Sequence, residues 1–154
     1  MKRNISGQSL FEVVIALALS VLIIVSLVSL AANAVRNSTY SRNKTQAAHF
    51  SQEGTEWLRG QRDTDFDFLY SKAAIGVYCF PVLDWGQAQA SVCASDKVIA
   101  GTIFKRQISF ARRTILDGGI NKNVIDATVN VYWQDAQGLH DVKSATSFSD
   151  WRQQ

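Results

Sequence analysis

Proline, cysteine and charged residues are all scarce in this sequence. Its 154 residues include one Pro, two Cys and nine Gly, and 19% of them are charged. Two cysteines are too few for a cysteine-stapled miniprotein, and so little Pro and Gly excludes a collagen-like repeat. Because 47% of the residues are hydrophobic, the composition also excludes a disordered tail. The length favours a single domain.

The motifs of common enzyme classes are also missing. The sequence has no GxSxG, HExxH or Walker-type loop, and its two histidines, His49 and His140, lie far apart. Residues 63–67 begin like a calcium-binding loop, but Phe68 and Ala74 stand where that loop needs Gly and Glu. The sequence therefore predicts no enzymatic activity, no cofactor and no metal site.

A long uncharged segment lies near the N-terminus. Residues 13–35 contain no charged side chain, Gly or Pro, and are mostly Val, Leu, Ile and Ala. A helix rises about 1.5 Å per residue, so this segment can cross a bilayer core of about 30 Å. Lys2 and Arg3 precede it, and such cations remain in the cytoplasm. We predict a single transmembrane helix with its N-terminus inside and the rest of the chain outside.

Glu12 stands at the edge of this apolar segment. A carboxylate near the membrane core is costly and normally has a partner, yet no Lys or Arg occurs between Glu12 and Arg36. From the residues alone, Glu12 either pairs with a cation of another chain or faces the headgroups and water.

The helical pattern continues beyond the apolar segment. Apolar or small residues recur on one stripe at Tyr40, Ala47, Phe50, Gly54, Trp57 and Leu58. We expect the helix to reach about Gly60 and to pack this stripe against a globular head. Gly54 would let another backbone approach closely.

Strand patterns occur only in the last third of the chain. Residues 123–133 alternate, with one face formed by Ile125, Ala127, Val129, Val131 and Trp133. Two shorter patterns comprise Phe104, Ile108 and Phe110, and then Val142, Thr146 and Phe148. Residues 117–119 and 134–138 have turn composition. The sequence predicts a three-stranded antiparallel meander packed on the amphipathic half of the helix.

The N-terminal residues resemble the class III signal of type IV pilins and type II secretion pseudopilins. The resemblance rests on residues 7–17, GQSLFEVVIAL, where Gly7 ends a short basic leader and Glu12 is the fifth residue after it. It implies cleavage after Gly7 by a membrane peptidase and N-methylation of Gln8, although Phe is the usual first mature residue. It also implies that Glu12 acts in assembly by pairing with the α-amine of a neighbouring subunit.

The resemblance further implies an α+β, lollipop-shaped fold. Its parts would be a leader at 1–7, a membrane or filament-core half of the helix at 8–35, an amphipathic half at 36–61 and a β-sheet head at 62–154. The C-terminal third is similar to that of PilV-like minor pilins, at Val131-Tyr132-Trp133, Asp135, Gly138, residues 144–146 and Trp151.

The implied function is that of a minor pilin or pseudopilin. Its partners would be other pilin or pseudopilin subunits, the prepilin peptidase and methyltransferase, the inner-membrane assembly platform and the lipid bilayer. It would reside in the cytoplasmic membrane and then in a cell-surface pilus or periplasmic pseudopilus. The alternative is a signal-anchored extracytoplasmic binding or adhesion domain that never joins a filament.

Cys79 and Cys93 are the two cysteines of the chain. Outside the cytoplasm thiols tend to oxidise, so a disulfide between them is expected. A bridge closing a loop of about 15 residues stabilises a fold by roughly 3 kcal/mol. Two free thiols or a metal pair are the alternative.

Four basic residues, Lys105, Arg106, Arg112 and Arg113, lie in one predicted strand region. They could meet an anionic partner, or they could keep an exposed strand soluble. Loss of Lys2 and Arg3 would lower the formal net charge from +3 to +1. We therefore predict solvated charges and no nucleic-acid partner.

Overall fold

The computed structural model describes residues 6–150, with side chains described from Leu10 onward except that of Asp117. The elements are α1 (Ser6–Thr64), α2 (Phe66–Lys72), β1 (Val77–Cys79), β2 (Lys105–Asp117), β3 (Ile120–Asp135) and β4 (Gly138–Ser149). Leader residues 1–5 and Trp151 lie outside the described residues. The chain divides into two compact units, one ending at Arg42 and the other beginning at Asn43, so the division falls within α1.

The second unit contains one antiparallel sheet with strand order β1-β2-β3-β4. The predicted meander is confirmed as β2, β3 and β4. Gly118 and Gly119 have φ angles of 61° and 82° in the β2–β3 turn, a conformation that favours glycine. β1 is an additional strand beside β2, from the pair Val77 and Ser109 to the pair Cys79 and Gln107. Its three residues are too few to show a periodic pattern.

The inner face of this sheet packs on α1, which confirms the α+β class. All five predicted inner residues of β3 are buried, as are Ile108, Phe110 and Phe148 from the flanking strands. Ser51 Oγ donates a hydrogen bond to the Val129 carbonyl over 3.2 Å. Because this bond joins the helix directly to the central strand, residues 43–64 of α1 form one layer over the sheet.

The predicted helical stripe is confirmed at Ala47, Gly54 and Leu58, which are buried. It also includes polar residues that hydrophobicity does not reveal, namely Asn43, Ser51 and Thr55. A Cβ on Gly54 would lie 3.0 Å from Val129 Cγ1 and 3.3 Å from Arg106 Cδ. The glycine therefore makes room for two side chains of the sheet, whereas the sequence predicted the approach of a backbone.

The acidic segment after the stripe ends one helix and begins another. α1 ends at Thr64, four residues beyond the Gly60 expected from the helical pattern and three beyond the end of the amphipathic half at 61. Asp65 caps α2, because its carboxylate accepts a 2.9 Å hydrogen bond from the Phe68 amide. In the part of the chain from 6 to 150, no three His, Cys, Asp or Glu side chains are grouped to hold a metal ion.

Candidate functional site

The apolar segment of α1 is long and apolar enough to cross a membrane. Its most hydrophobic window has a mean hydropathy of 3.0, and none of that window is buried. From Leu10 to Val35 the large hydrophobic side chains are between 43% and 71% exposed. Ser20 and Ser26 donate to the carbonyls of Ala16 and Leu22 over 2.7 and 2.8 Å, so these hydroxyls are satisfied within the helix, as lipid requires.

The residues of the prepilin-like signal lie at the start of α1. The backbone of Gly7 and Gln8 is helical, and cleavage after Gly7 with methylation of Gln8 remains a prediction. Glu12 is exposed and shares a shallow concave surface with Phe11, Ile15, Ala16 and Leu19. The next basic residue along α1 is Arg36, about 36 Å away at about 1.5 Å per residue. Glu12 therefore has no cation within reach on its own helix.

Cys79 and Cys93 form a disulfide, with their Cα atoms 4.9 Å apart, so the predicted bridge is confirmed. Cys79 is buried in β1, and its amide and carbonyl both bond to the backbone of Gln89, over 2.8 and 3.0 Å. The bridge and these two bonds close the loop of residues 80–92 against the sheet.

The closed loop places Trp85 in an aromatic cluster that the sequence does not reveal. The Trp85 ring lies within 5.2 to 6.4 Å, between centroids, of Trp57, Phe68, Tyr78, Phe80 and Phe110. Its Nε1 donates a 2.9 Å hydrogen bond to Gln61 Oε1 on α1. Burial raises the pKa of Tyr78, whose hydroxyl donates to the Lys72 carbonyl over 3.2 Å. The cluster joins α1, α2, the loop and the sheet.

Arg106 is buried, which corrects its assignment to an exposed cationic region. Only 2% of the residue is accessible, because it lies on the inner face of β2. Nη1 donates to Glu53 Oε2 over 2.9 Å and to the Phe50 carbonyl over 3.4 Å, and Nε donates to the Phe80 carbonyl over 3.3 Å. Burial lowers the pKa of Arg106, and the Glu53 carboxylate opposes that effect. Strand alternation places Arg106 on the same inner face as Ile108, so the sequence pattern could have predicted that Arg106 is buried.

The other three basic residues of that region have partners at the surface. Arg113 Nε donates to Asp126 Oδ2 over 2.6 Å, which lowers the pKa of Asp126. Arg112 lies over the Tyr70 ring at 4.9 Å from its centroid, and Lys105 lies over the Tyr132 ring at 5.8 Å. These contacts disperse the positive charge over different parts of the sheet.

The outer face of the sheet carries a concave site near the β3–β4 turn. We call it the outer hollow; its volume is about 310 Å³, and its lining residues are Gln107, Asn130, Tyr132, Leu139 and Asp141. A smaller hollow of about 160 Å³ adjoins it, shares Tyr132 and Leu139, and extends to the loop residues Ser95 and Val98.

Three features of the outer hollow concern hydrogen bonding. The Tyr132 hydroxyl donates to the Cys93 carbonyl over 3.4 Å, and burial raises its pKa. Asp141 pairs with Lys143 at 3.0 Å. Asn130 Oδ1 is buried, with no donor for it among the described residues. An unsatisfied buried acceptor costs about 1–3 kcal/mol.

The structure brings Cys79 and Cys93 together, whereas Gly7, Gln8 and Glu12 belong to the other compact unit. Comparison with known protein families, with curated proteins and with solved structures finds no match.

Proposed function

We propose that this chain is a minor pilin or pseudopilin, a structural subunit of a type IV pilus or a type II secretion pseudopilus. It would lose its leader by cleavage after Gly7, acquire an N-methyl group on Gln8 and wait in the cytoplasmic membrane with its C-terminus outside. The assembly platform would then transfer it into a filament.

The observation that carries this proposal is Glu12 at the edge of an uncharged and exposed apolar segment, residues 13–35 of α1. Lipid can cover the apolar side chains of residues 13–35, but it cannot neutralise a carboxylate. Cleavage after Gly7 would create an α-amine four residues before Glu12, about one helical turn away. The same amine on a neighbouring subunit offers a cation of the required charge, and pairing would set the axial register between adjacent helices.

Filament assembly would depend on the packing of apolar helices and would involve no chemical reaction. Each Leu, Val or Ile side chain stabilises a fold by about 1.5–3 kcal/mol when it is removed from water, so this segment stays in lipid unless other apolar surfaces replace it. Neighbouring helices of the same kind supply those surfaces in a filament core. The α+β head, held together by the Cys79–Cys93 bridge, would determine which subunits lie beside it.

Intact-mass measurement of the protein from a host that makes such filaments tests the proposal. We expect the wild-type protein to lack residues 1–7 and to carry one methyl group on Gln8. Gly7→Leu should retain residues 1–7, because the bulky side chain blocks the peptidase. Gly60→Leu is the matched control, since a Cβ at the exposed Gly60 meets no atom within 4 Å and processing should be normal.

An unprocessed wild-type protein in a host that makes these filaments would contradict the proposal. That outcome is the one expected of the tethered binding or adhesion domain, which needs its leader and apolar segment only as an anchor.

A further inference from the structure

One end of the head carries exposed apolar side chains that the proposed filament function does not use. Ile103 lies just before β2 and is 51% exposed, and Leu139 lies just after the β3–β4 turn and is 70% exposed. Both line the smaller hollow, together with Val98 and Lys105. We call these four residues the base patch.

The orientation of β3 shows at which end of the head this patch lies. Trp133, late in β3, contacts Phe104, and Phe104 contacts Phe50 on α1, with centroids 5.6 Å apart in both pairs. The Arg62 guanidinium, late in α1, lies 5.7 Å from the ring centroid of Phe148, a β4 residue opposite the beginning of β3. β3 therefore runs against the direction of α1, and the β3–β4 turn is at the end where the second compact unit begins.

The base patch belongs to this end of the sheet. Leu139 pairs with Gln134, the residue after Trp133, and Lys105 pairs with Tyr132. The patch is thus beside the entry of the chain into the head.

The covalent chain keeps this entry near any membrane that holds the apolar segment. Val35 ends that segment, and Asn43 begins the second unit eight positions later. A chain of that length reaches at most about 28 Å even when it is fully extended. Arg36, Arg42 and Lys44 lie in or beside this connection. Basic residues next to a span are attracted to anionic headgroups, so the connection itself suits a lipid surface.

We infer that the base patch docks on the surface of the bilayer that holds the apolar segment. Ile103 and Leu139 would enter the interface, and the Lys105 ammonium would reach the lipid phosphates while its methylene groups follow the apolar surface. An exposed apolar patch with a cation beside it is the kind of surface that meets a membrane. The inference rests on the membrane span and is independent of cleavage and filament assembly.

Position, and not exposure alone, distinguishes the base patch. Leu116 and Ile120, beside the β2–β3 turn, are 72% and 55% exposed, so the head has a second apolar pair of similar exposure. That pair lies at the opposite end of β3, whose 16 residues extend about 50 Å. The two pairs therefore provide a matched comparison between the entry end and the far end of one head.

Fluorescence quenching by lipids with a nitroxide on the headgroup tests the inference. The full chain is placed at low density in vesicles of phosphatidylethanolamine and phosphatidylglycerol. Cys79 and Cys93 are bridged, so a bimane label reacts only with a cysteine introduced by Gln137→Cys in the β3–β4 turn or by Asn121→Cys near the β2–β3 turn. We expect quenching of the label at position 137 and little at position 121.

Two double variants show which side chains are responsible. Ile103→Ser with Leu139→Ser should lower the ratio of docked to undocked heads about tenfold or more, and quenching at position 137 should fall with it. Both side chains are exposed, so the urea midpoint of the head should not change. Leu116→Ser with Ile120→Ser is the matched control and should leave the quenching at position 137 as it was.

Three results would overturn the inference. Equal quenching at position 137 with and without the Ile103→Ser and Leu139→Ser changes would mean that the tether alone brings the label to the lipid. Equal quenching at positions 121 and 137 would mean that the entry end has no preference for the membrane. Quenching at position 137 that appears only at high protein density would assign the base patch to a contact between copies. The proposed filament function does not depend on these results, since its test is processing after Gly7.

Discussion

Arg106 joins three segments of the head through one buried guanidinium. Its donors reach the carbonyls of Phe50 on α1 and Phe80 after β1, and the carboxylate of Glu53. Glu53 is 48% exposed at its side chain, whereas Arg106 is 3% exposed. The two members of the pair are therefore not equivalent, because water can replace Arg106 at Glu53 but has no access to the fully buried Phe80.

This asymmetry predicts different costs for removing each partner. Arg106→Ala should lower the free energy of unfolding of the head by about 2–4 kcal/mol, since it leaves the Phe80 carbonyl without this donor and a space beside Gly54. Glu53→Gln should lower it by a smaller amount, about 1–2 kcal/mol, because the Gln oxygen can still accept from Nη1 but the buried guanidinium loses its counter-charge. Urea unfolding in detergent micelles, followed by tryptophan fluorescence, measures both values. Arg113→Ala, which removes a surface pair, is the control, and equal midpoints for Arg106→Ala and the wild type would contradict the assignment.

The position of Arg106 follows from its own strand, but its partners do not. Alternation puts residues 106, 108 and 110 of β2, and residue 104 just before it, on one face, and all four are buried. Glu53 and Phe50 are more than fifty residues away in sequence, and only the packing of α1 on the sheet brings them within hydrogen-bond distance.

Most contacts of the aromatic cluster that the sequence did not predict involve the loop of residues 80–92. It has no helix or strand period, and its role depends on the disulfide and on Trp85. Trp85 contacts Trp57 on α1 with centroids 5.3 Å apart, so the loop stabilises the helix against the sheet.

Loss of the disulfide should therefore destabilise the head and loosen this loop. We expect the double variant Cys79→Ser, Cys93→Ser to lose roughly 3 kcal/mol of unfolding free energy, because the open chain has more conformational freedom when unfolded. The urea midpoint and the tryptophan emission maximum should both change. Reductant should produce the same change in the wild type and none in the double variant; a wild type that is insensitive to reductant would refute the prediction.

At the element scale, long periodic segments were predictable and short ones were not. β3 has sixteen residues, and its alternation shows which face is buried. β1 has three residues, and its pairing with β2 depends on where the loop and disulfide hold it. Asn43, Ser51 and Thr55 were missed because a polar side chain carries no hydrophobic signal even when it is buried.

At the scale of the whole molecule, the two compact units have different surfaces. Residues 43–150 bury a core between α1 and the sheet, whereas residues 10–35 expose nearly every apolar side chain. A chain of this kind needs lipid or other subunits around its first unit. Under the proposed function, Glu12 decides which of these two environments the subunit can enter.

Glu12→Gln should be processed and inserted normally but should be depleted from filaments about tenfold or more. The amide cannot form the ion pair that would set the register, and each tenfold corresponds to about 1.4 kcal/mol. Quantitative immunoblots of purified filaments and membranes measure the ratio. Glu56→Gln is the matched control, since Glu56 is an exposed acid of the same helix that pairs with Arg59 at the surface. Equal incorporation of both variants would exclude a role for Glu12 in assembly.

The sequence by itself determined the apolar segment, the amphipathic stripe of α1, the three-stranded meander and the pairing of the only two cysteines. The first three depend on periodicity and charge, which are visible within a single segment. The fourth follows from the number of cysteines in the chain. Tertiary structure alone decided the ion pair of Arg106 with Glu53, the cluster around Trp85 and the outer hollow. Each of these depends on atoms from segments far apart in the chain, and their distances are set only when the helix, loop and sheet pack together.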